Sequence, residues 1–192
     1  KDFTGSVKQT MNVTFADSGA STWLKFPAFS QQGGNFDGQT GNVLTLKIPS
    51  RWLYVYSPDD WAFVRSGGNF KAPSVLRIVG PVDIKPTGNF IHNNGLVNLF
   101  QAWATNLLVQ VPGVNFYDLQ FDNLLPAFDS ISTHYQFKVN KNFTVNNDII
   151  FSVRGIENSV SGNSSTTISV KGNVIIRGAG ATYYETPYLS LE

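Results

Sequence analysis

Apolar residues recur at every second position in short runs along this chain. Met11, Val13 and Phe15 share one face of such a run, and Leu44, Leu46 and Ile48 share another. Tyr117, Leu119 and Phe121 alternate with Asp118, Gln120 and Asp122, while Ile149, Phe151 and Val153 alternate with Ile150, Ser152 and Arg154. Tyr135, Phe137 and Val139 alternate with Gln136, Lys138 and Asn140 in the same way. Side chains on a strand point to opposite faces in turn, so this period predicts strands with one buried face. Trp52-Leu53-Tyr54-Val55-Tyr56 is apolar or amphipathic on both sides, which predicts a central strand or one that presents aromatics at an interface. Residues 62–65 and 74–79 add two more strands.

The period changes once. Leu96, Leu99, Phe100, Trp103 and Leu107 fall at helical spacing, with Asn93 or Asn94 placed to cap the start, and predict one short helix over 95–108.

Glycine-asparagine pairs punctuate the runs. Gly34-Asn35-Phe36, Gly41-Asn42-Val43, Gly68-Asn69-Phe70, Gly88-Asn89-Phe90 and Gly172-Asn173-Val174 each set the pair beside an apolar residue. Both residues tolerate the positive φ that reversals need. Gly172-Asn173 is expected to close a tight hairpin between 166–171 and 174–177. The pairs recur at irregular intervals, which argues against a solenoid or propeller repeat. The glycine-rich stretch 31–41 is expected to be an irregular functional loop. The expectation is an all-β fold: a single antiparallel β-sandwich domain over 1–192, jelly-roll-like, with the helix near 95–108 lying over one end.

Composition narrows the functional classes. Of 192 residues, 42% are hydrophobic and 14% aromatic, with 15 Phe, which is ample for a packed core. Charged residues reach only 14%, against about 25% in a typical soluble domain, and polarity comes from Asn, Ser, Thr, Gly and Gln. A net charge of +1 with no basic block gives no footprint for nucleic acid. The absence of Cys removes a disulfide framework as the source of stability. No apolar run approaches the ~18 residues of a membrane span, so no membrane insertion is expected. The chain starts at Lys1 without a signal-like segment and is expected to be part of a larger protein or assembly.

Candidate chemistry is thin. Asp59-Asp60-Trp61 is the densest acidic spot. With Tyr54 and Tyr56 it is the best sequence candidate for ligand contact, since carboxylates beside an indole suit a sugar ring; the competing reading is a turn after Ser57-Pro58. Asp118 and Asp122 share a strand face but lie about 13 Å apart along it, beyond the ~5–9.5 Å of a glycosidase pair. Only His92 and His134 are available as imidazoles, and no nucleophile elbow, P-loop or dinucleotide fingerprint occurs. Three sequons, at Asn12, Asn142 and Asn163, match chance in so Asn- and Ser-rich a chain. No catalytic residue, metal site or cofactor is assigned.

Three classes remain. A non-enzymatic virion or phage structural protein, either a capsid subunit or the receptor-binding head of an attachment fibre or spike, fits the low charge, the polar palette and the missing catalytic motifs. It carries the expectation of self-association as a homotrimer or capsid assembly, with a host glycan or surface receptor as partner, at a virion surface or outside the cell. The alternative is a carbohydrate-binding module or bacterial surface adhesin domain. An enzyme fits worst, given three Glu, two His and no Cys.

Overall fold

The structure, a computed structural model, describes residues 2–3, 5–16, 27–48, 61–101, 107–123, 134–153, 157–162, 164–178 and 188–191. These form a parallel β-solenoid. Each coil contributes three strands that turn through two corners.

The first coil holds β1 (Asp2–Phe3), β2 (Ser6–Lys8) and β3 (Val13–Ala16). The second holds β4 (Phe29–Gln31), β5 (Asn35–Asp37) and β6 (Val43–Lys47). The third holds β7 (Phe63–Arg65), β8 (Asn69–Lys71) and β9 (Val75–Val79). The fourth holds β10 (Val82–Ile84), β11 (Asn89–Ile91) and β12 (Leu96–Gln101). The fifth holds β13 (Leu107–Gln110), β14 (Asn115–Phe116) and β15 (Asp118–Asn123). The sixth holds β16 (His134–Val139), β17 (Phe143–Val145) and β18 (Ile149–Val153). The seventh holds β19 (Glu157–Gly162), β20 (Ile168–Val170) and β21 (Val174–Gly178), and β22 (Tyr188–Leu191) opens an eighth.

Like strands of successive coils pair in parallel. The first strands make an eight-stranded sheet and the third strands a seven-stranded sheet. The second strands divide into a four-stranded sheet (β2, β5, β8, β11) and a three-stranded one (β14, β17, β20). The rings of Phe90 and Phe116, 5.6 Å apart, join these two across the break.

The core is the inside of the coil. On the third face two rows run its whole length. One passes from Val13 through Leu44, Leu76, Val97, Leu119 and Ile149 to Val174. The other passes from Phe15 through Leu46, Ile78, Leu99, Phe121 and Phe151 to Ile176. On the second face Phe36 stacks on Phe70 at 4.8 Å and Phe70 on Phe90 at 5.7 Å. Each such layer removes apolar area from water at about 25 cal/mol per Å², and the next coil supplies the cover that one coil cannot give itself.

Two inward polar residues hold the first corner. Gln31 donates from Nε2 to the carbonyls of Gly33, Gly34 and Asn69. Arg65, fully buried, reaches the carbonyls of Gly68, Thr87 and Lys85. At the second corner side chains of one coil cap backbone N–H groups of the next. Asn12 Oδ1 accepts from Val43 at 2.7 Å, Asp118 Oδ1 from Asp148 at 3.0 Å, and Asp148 Oδ1 from Asn173 at 2.9 Å.

Several sequence expectations are overturned. The sheets are parallel, so the antiparallel jelly-roll sandwich is wrong: period 2 is common to both sheet types and reports one buried face, not strand direction. The helix over 95–108 is absent. Leu96–Gln101 and Leu107–Gln110 are strands, and 102–106 lie outside the described residues. Leu96 and Phe100 lie half-buried on the outer face while Val97 and Leu99 fill the core, and apolar residues on both faces of a strand imitate helical spacing. Gly172-Asn173 is a corner, since β20 and β21 belong to different sheets. The stretch 31–41 carries β5. Irregular spacing does not exclude a solenoid either. The Asn35–Asn69 step spans 34 residues and the Asn69–Asn89 step 20, because the difference is absorbed between strands.

Candidate functional site

The third face presents its outer side through residues that alternate with the core rows. Across β9, β12, β15 and β18 one outer row reads Arg77, Asn98, Gln120, Ile150 and the next reads Val79, Phe100, Asp122, Ser152. Parallel strands lie about 4.8 Å apart, so the members of a row are direct neighbours. Asn98 and Phe100 thus stand on one strand with Gln120 and Asp122 beside them.

Burial divides this patch. Asn98 is 4% exposed and Asp122 is also buried, as are Val79 and Ile150. Phe100, Gln120 and Ser152 are half-buried, and Arg77 is exposed. A carboxamide and a carboxylate therefore sit at the floor, an aromatic ring, an amide and a hydroxyl are reachable around them, and a guanidinium lies at the rim.

The hydrogen bonding is uneven. Gln120 Nε2 donates to Ser152 Oγ at 2.7 Å. Asp122 Oδ2 accepts from Asn98 Nδ2 at 3.4 Å and from Gln120 Nε2 at 3.5 Å. Both are long against the usual ~2.9–3.0 Å and correspondingly weak. Asn98 Oδ1 is buried and accepts no hydrogen bond. Leaving a buried acceptor unmade costs about 1–3 kcal/mol, so a donor delivered to this oxygen recovers energy the free protein forgoes.

The sequence candidates fare as follows. Tyr54, Tyr56, Asp59 and Asp60 lie outside the described residues. Trp61 is described, half-buried, at the approach to β7, where its carbonyl accepts from the Ala28 N–H at 3.2 Å. The structure separates Asp118 from Asp122. Asp118 is tied to a corner by Asn147 Nδ2 at 2.8 Å and the Asp148 N–H, whereas Asp122 lies in the outer-face patch. His92 accepts at Nδ1 from the Asn94 N–H at 3.0 Å, places Nε2 3.4 Å from Asn146 Nδ2, and packs its ring 5.6 Å from that of Tyr117. Asn12 and Asn142, both in sequons, spend Oδ1 on backbone N–H groups of the next coil.

Sequence reasoning missed Asn98, Phe100 and Ser152 as partners of Asp122. Their only signal was polar or half-apolar residues at alternate positions of strands, and joining them needs the parallel register. Among the described residues no group of three His, Cys, Asp or Glu gathers where it could hold a metal ion. The chain matches no protein-family model, no curated protein and no solved structure.

Proposed function

We propose that this chain is a non-catalytic glycan-recognition element of a surface-attachment assembly, of the kind carried by a virion or phage fibre or spike. The observation that carries the reading is the buried, unpartnered Asn98 Oδ1 beside Asp122, with Phe100 and Gln120 reachable next to them. Sugar hydroxyls donate and accept at close spacing. A carboxylate and two carboxamides on adjacent strands match that pattern, and a half-buried ring offers a surface for C–H faces. The patch stands on a stack of paired strands, which holds its members in fixed geometry. One carboxylate in the patch, with the next along its strand engaged at a corner, suits binding better than two-carboxylate glycoside hydrolysis. A bacterial adhesin module would use the same chemistry and differs only in what carries it.

The test is a glycan array with the purified chain, followed by calorimetry on the best ligand. Gln120→Ala removes an accessible donor and should weaken binding about tenfold, which corresponds to ~1.4 kcal/mol. Asp122→Asn should weaken it at least as much, with circular dichroism confirming the fold in both. Retention of no glycan, or wild-type affinity in both variants, would sink the reading.

A further inference from the structure

Asn98 stands between two apolar neighbours on its own strand. The outer face of β12 carries Leu96 two residues before it and Phe100 two residues after, both half-buried. Across β9 the register sets the exposed Arg77 directly beside it, and across β15 it sets Gln120. Asn98 turns its amide nitrogen to Asp122 Oδ2 at 3.4 Å, and its buried Oδ1 is left without a partner. A group that reaches this oxygen therefore has three demands to meet. It must bring a donor, lay carbon against Leu96 or Phe100, and offer an acceptor to the Arg77 guanidinium.

We infer that the group taken here is the acetamido group of an N-acetylated amino sugar. The inference rests on the glycan reading of this patch and names the sugar class within it. An acetamido N–H donates to Asn98 Oδ1, its carbonyl accepts from Arg77, and its methyl lies against Phe100. One neutral group thus answers all three demands. A ring hydroxyl also supplies a donor, but it brings further hydroxyls rather than a methyl against Leu96 and Phe100, where they lose water and gain no partner. A free amino group is cationic: it is drawn to Asp122, yet it cannot accept from Arg77 and is repelled by it. A carboxylate sugar suits Arg77 but brings a second negative charge towards Asp122, the residue that Asn98 already contacts.

The experiment compares matched oligosaccharides that differ only at C2 of one hexose, carrying an acetamido, a hydroxyl or an amino group, in both gluco and galacto configuration. Calorimetry on the full chain reads the ratio of affinities within each set. The acetamido member of at least one set should bind about tenfold tighter than its hydroxyl and amino counterparts. Asn98→Leu removes the acceptor and Arg77→Met the donor, and each should bring that ratio close to one. Arg77 is exposed, so its replacement leaves the fold intact, which circular dichroism confirms. Arg77→Lys keeps a donor and should retain more of the preference than Arg77→Met. A hydroxyl or amino member bound as tightly as the acetamido member overturns the inference while the glycan reading stands. A preference that survives both Asn98→Leu and Arg77→Met overturns it as well, since the acetamido group would then lie elsewhere. Binding to no member of any set removes both the inference and the reading beneath it.

Discussion

The side-chain amide of Asn69 donates to Oδ1 of Asn35 at 2.8 Å, although 34 residues of chain separate them. Asn89 repeats the contact onto Asn69 at 2.9 Å across 20 residues, and Asn35 reaches Ser6 Oγ at 3.4 Å. Asn69 and Asn35 thus each donate to the coil before and accept from the coil after. The ladder lies on the outside of the second face, directly beside the inner stack of Phe36, Phe70 and Phe90.

That arrangement sets the cost of breaking it. Asn69→Ala removes two exposed amide bonds and should lower stability by about 1 kcal/mol. Asn69→Asp keeps an acceptor for Asn89 but loses the donor to Asn35 and faces its oxygen with a carboxylate, so it should cost more than Ala. Urea unfolding checks the order. Equal loss in the two variants would mean that the ladder adds nothing beyond packing.

Glycines differ sharply in what they must avoid. Gly68 has a φ of 75° and Gly88 of 76°, and a Cβ at either would run into the backbone of the preceding coil. Gly41 has a φ of 88° but open space around it, and Gly5 meets nothing and has no positive φ. Ala at Gly68 or Gly88 should therefore cost about 2–5 kcal/mol, from left-handed strain plus displacement of a coil. Ala at Gly41 should cost about 1–2 kcal/mol from strain alone. Ala at Gly5 should be neutral or stabilise by about 0.5 kcal/mol through the unfolded chain. Thermal melts of the four variants give the ranking, and a Gly41 variant as damaged as Gly68 would refute the role of inter-coil contact.

Arg65 tests the inner corner. Its Nη1 donates to the Gly68 and Thr87 carbonyls at 3.1 and 2.8 Å, and Nη2 to Lys85 at 2.9 Å. Burial pulls its pKa below the usual guanidinium value. Arg65→Lys keeps the charge but cannot span three carbonyls, and Arg65→Met removes the guanidinium donors from all three, of which Gly68 keeps the Asn89 N–H at 3.0 Å. Each should lose about 2–4 kcal/mol, with little change in that loss between low and high salt, because the interior is poorly screened. The Lys71–Asp37 pair, 3.2 Å apart and partly exposed, gives the contrast. Asp37→Asn should cost under about 1 kcal/mol, and that cost should shrink as salt rises.

These residues also show what the sequence made legible. The alternation that places Leu44, Leu46, Leu119, Phe121, Ile149 and Phe151 inside was readable because burial on one face imposes period 2 in any sheet. Strand direction was not readable, since Gly34, Gly68 and Gly88 would have positive φ at a hairpin as they do at a corner. The triplets Gly34-Asn35-Phe36, Gly68-Asn69-Phe70 and Gly88-Asn89-Phe90 were the clue to coiling, for each repeats one corner, one ladder amide and one core ring. Unequal spacing hid them, because a coil tolerates extra residues between strands at a cost that grows only slowly with loop length. The outer-face patch was less legible still, as Asn98 and Asp122 meet only when β12 and β15 lie side by side.

Asn98 joins stability to the proposed activity. Its Oδ1 is buried with no partner, which costs about 1–3 kcal/mol, while its 3.4 Å bond to Asp122 is too long to return much of that. Leucine at this buried position would also sit beside the apolar Val79 and Phe100 of the next outer row, with no polar atom left to satisfy. Asn98→Leu should therefore stabilise the chain by about 1 kcal/mol, or roughly 2–4 °C in Tm for a chain of this size. The same change removes the acceptor assigned to a ligand hydroxyl and should weaken glycan binding at least tenfold. A site kept for recognition trades stability for function in this way. A purely structural Asn98 would do the reverse: Leu would destabilise the fold, and binding by the folded fraction would be untouched.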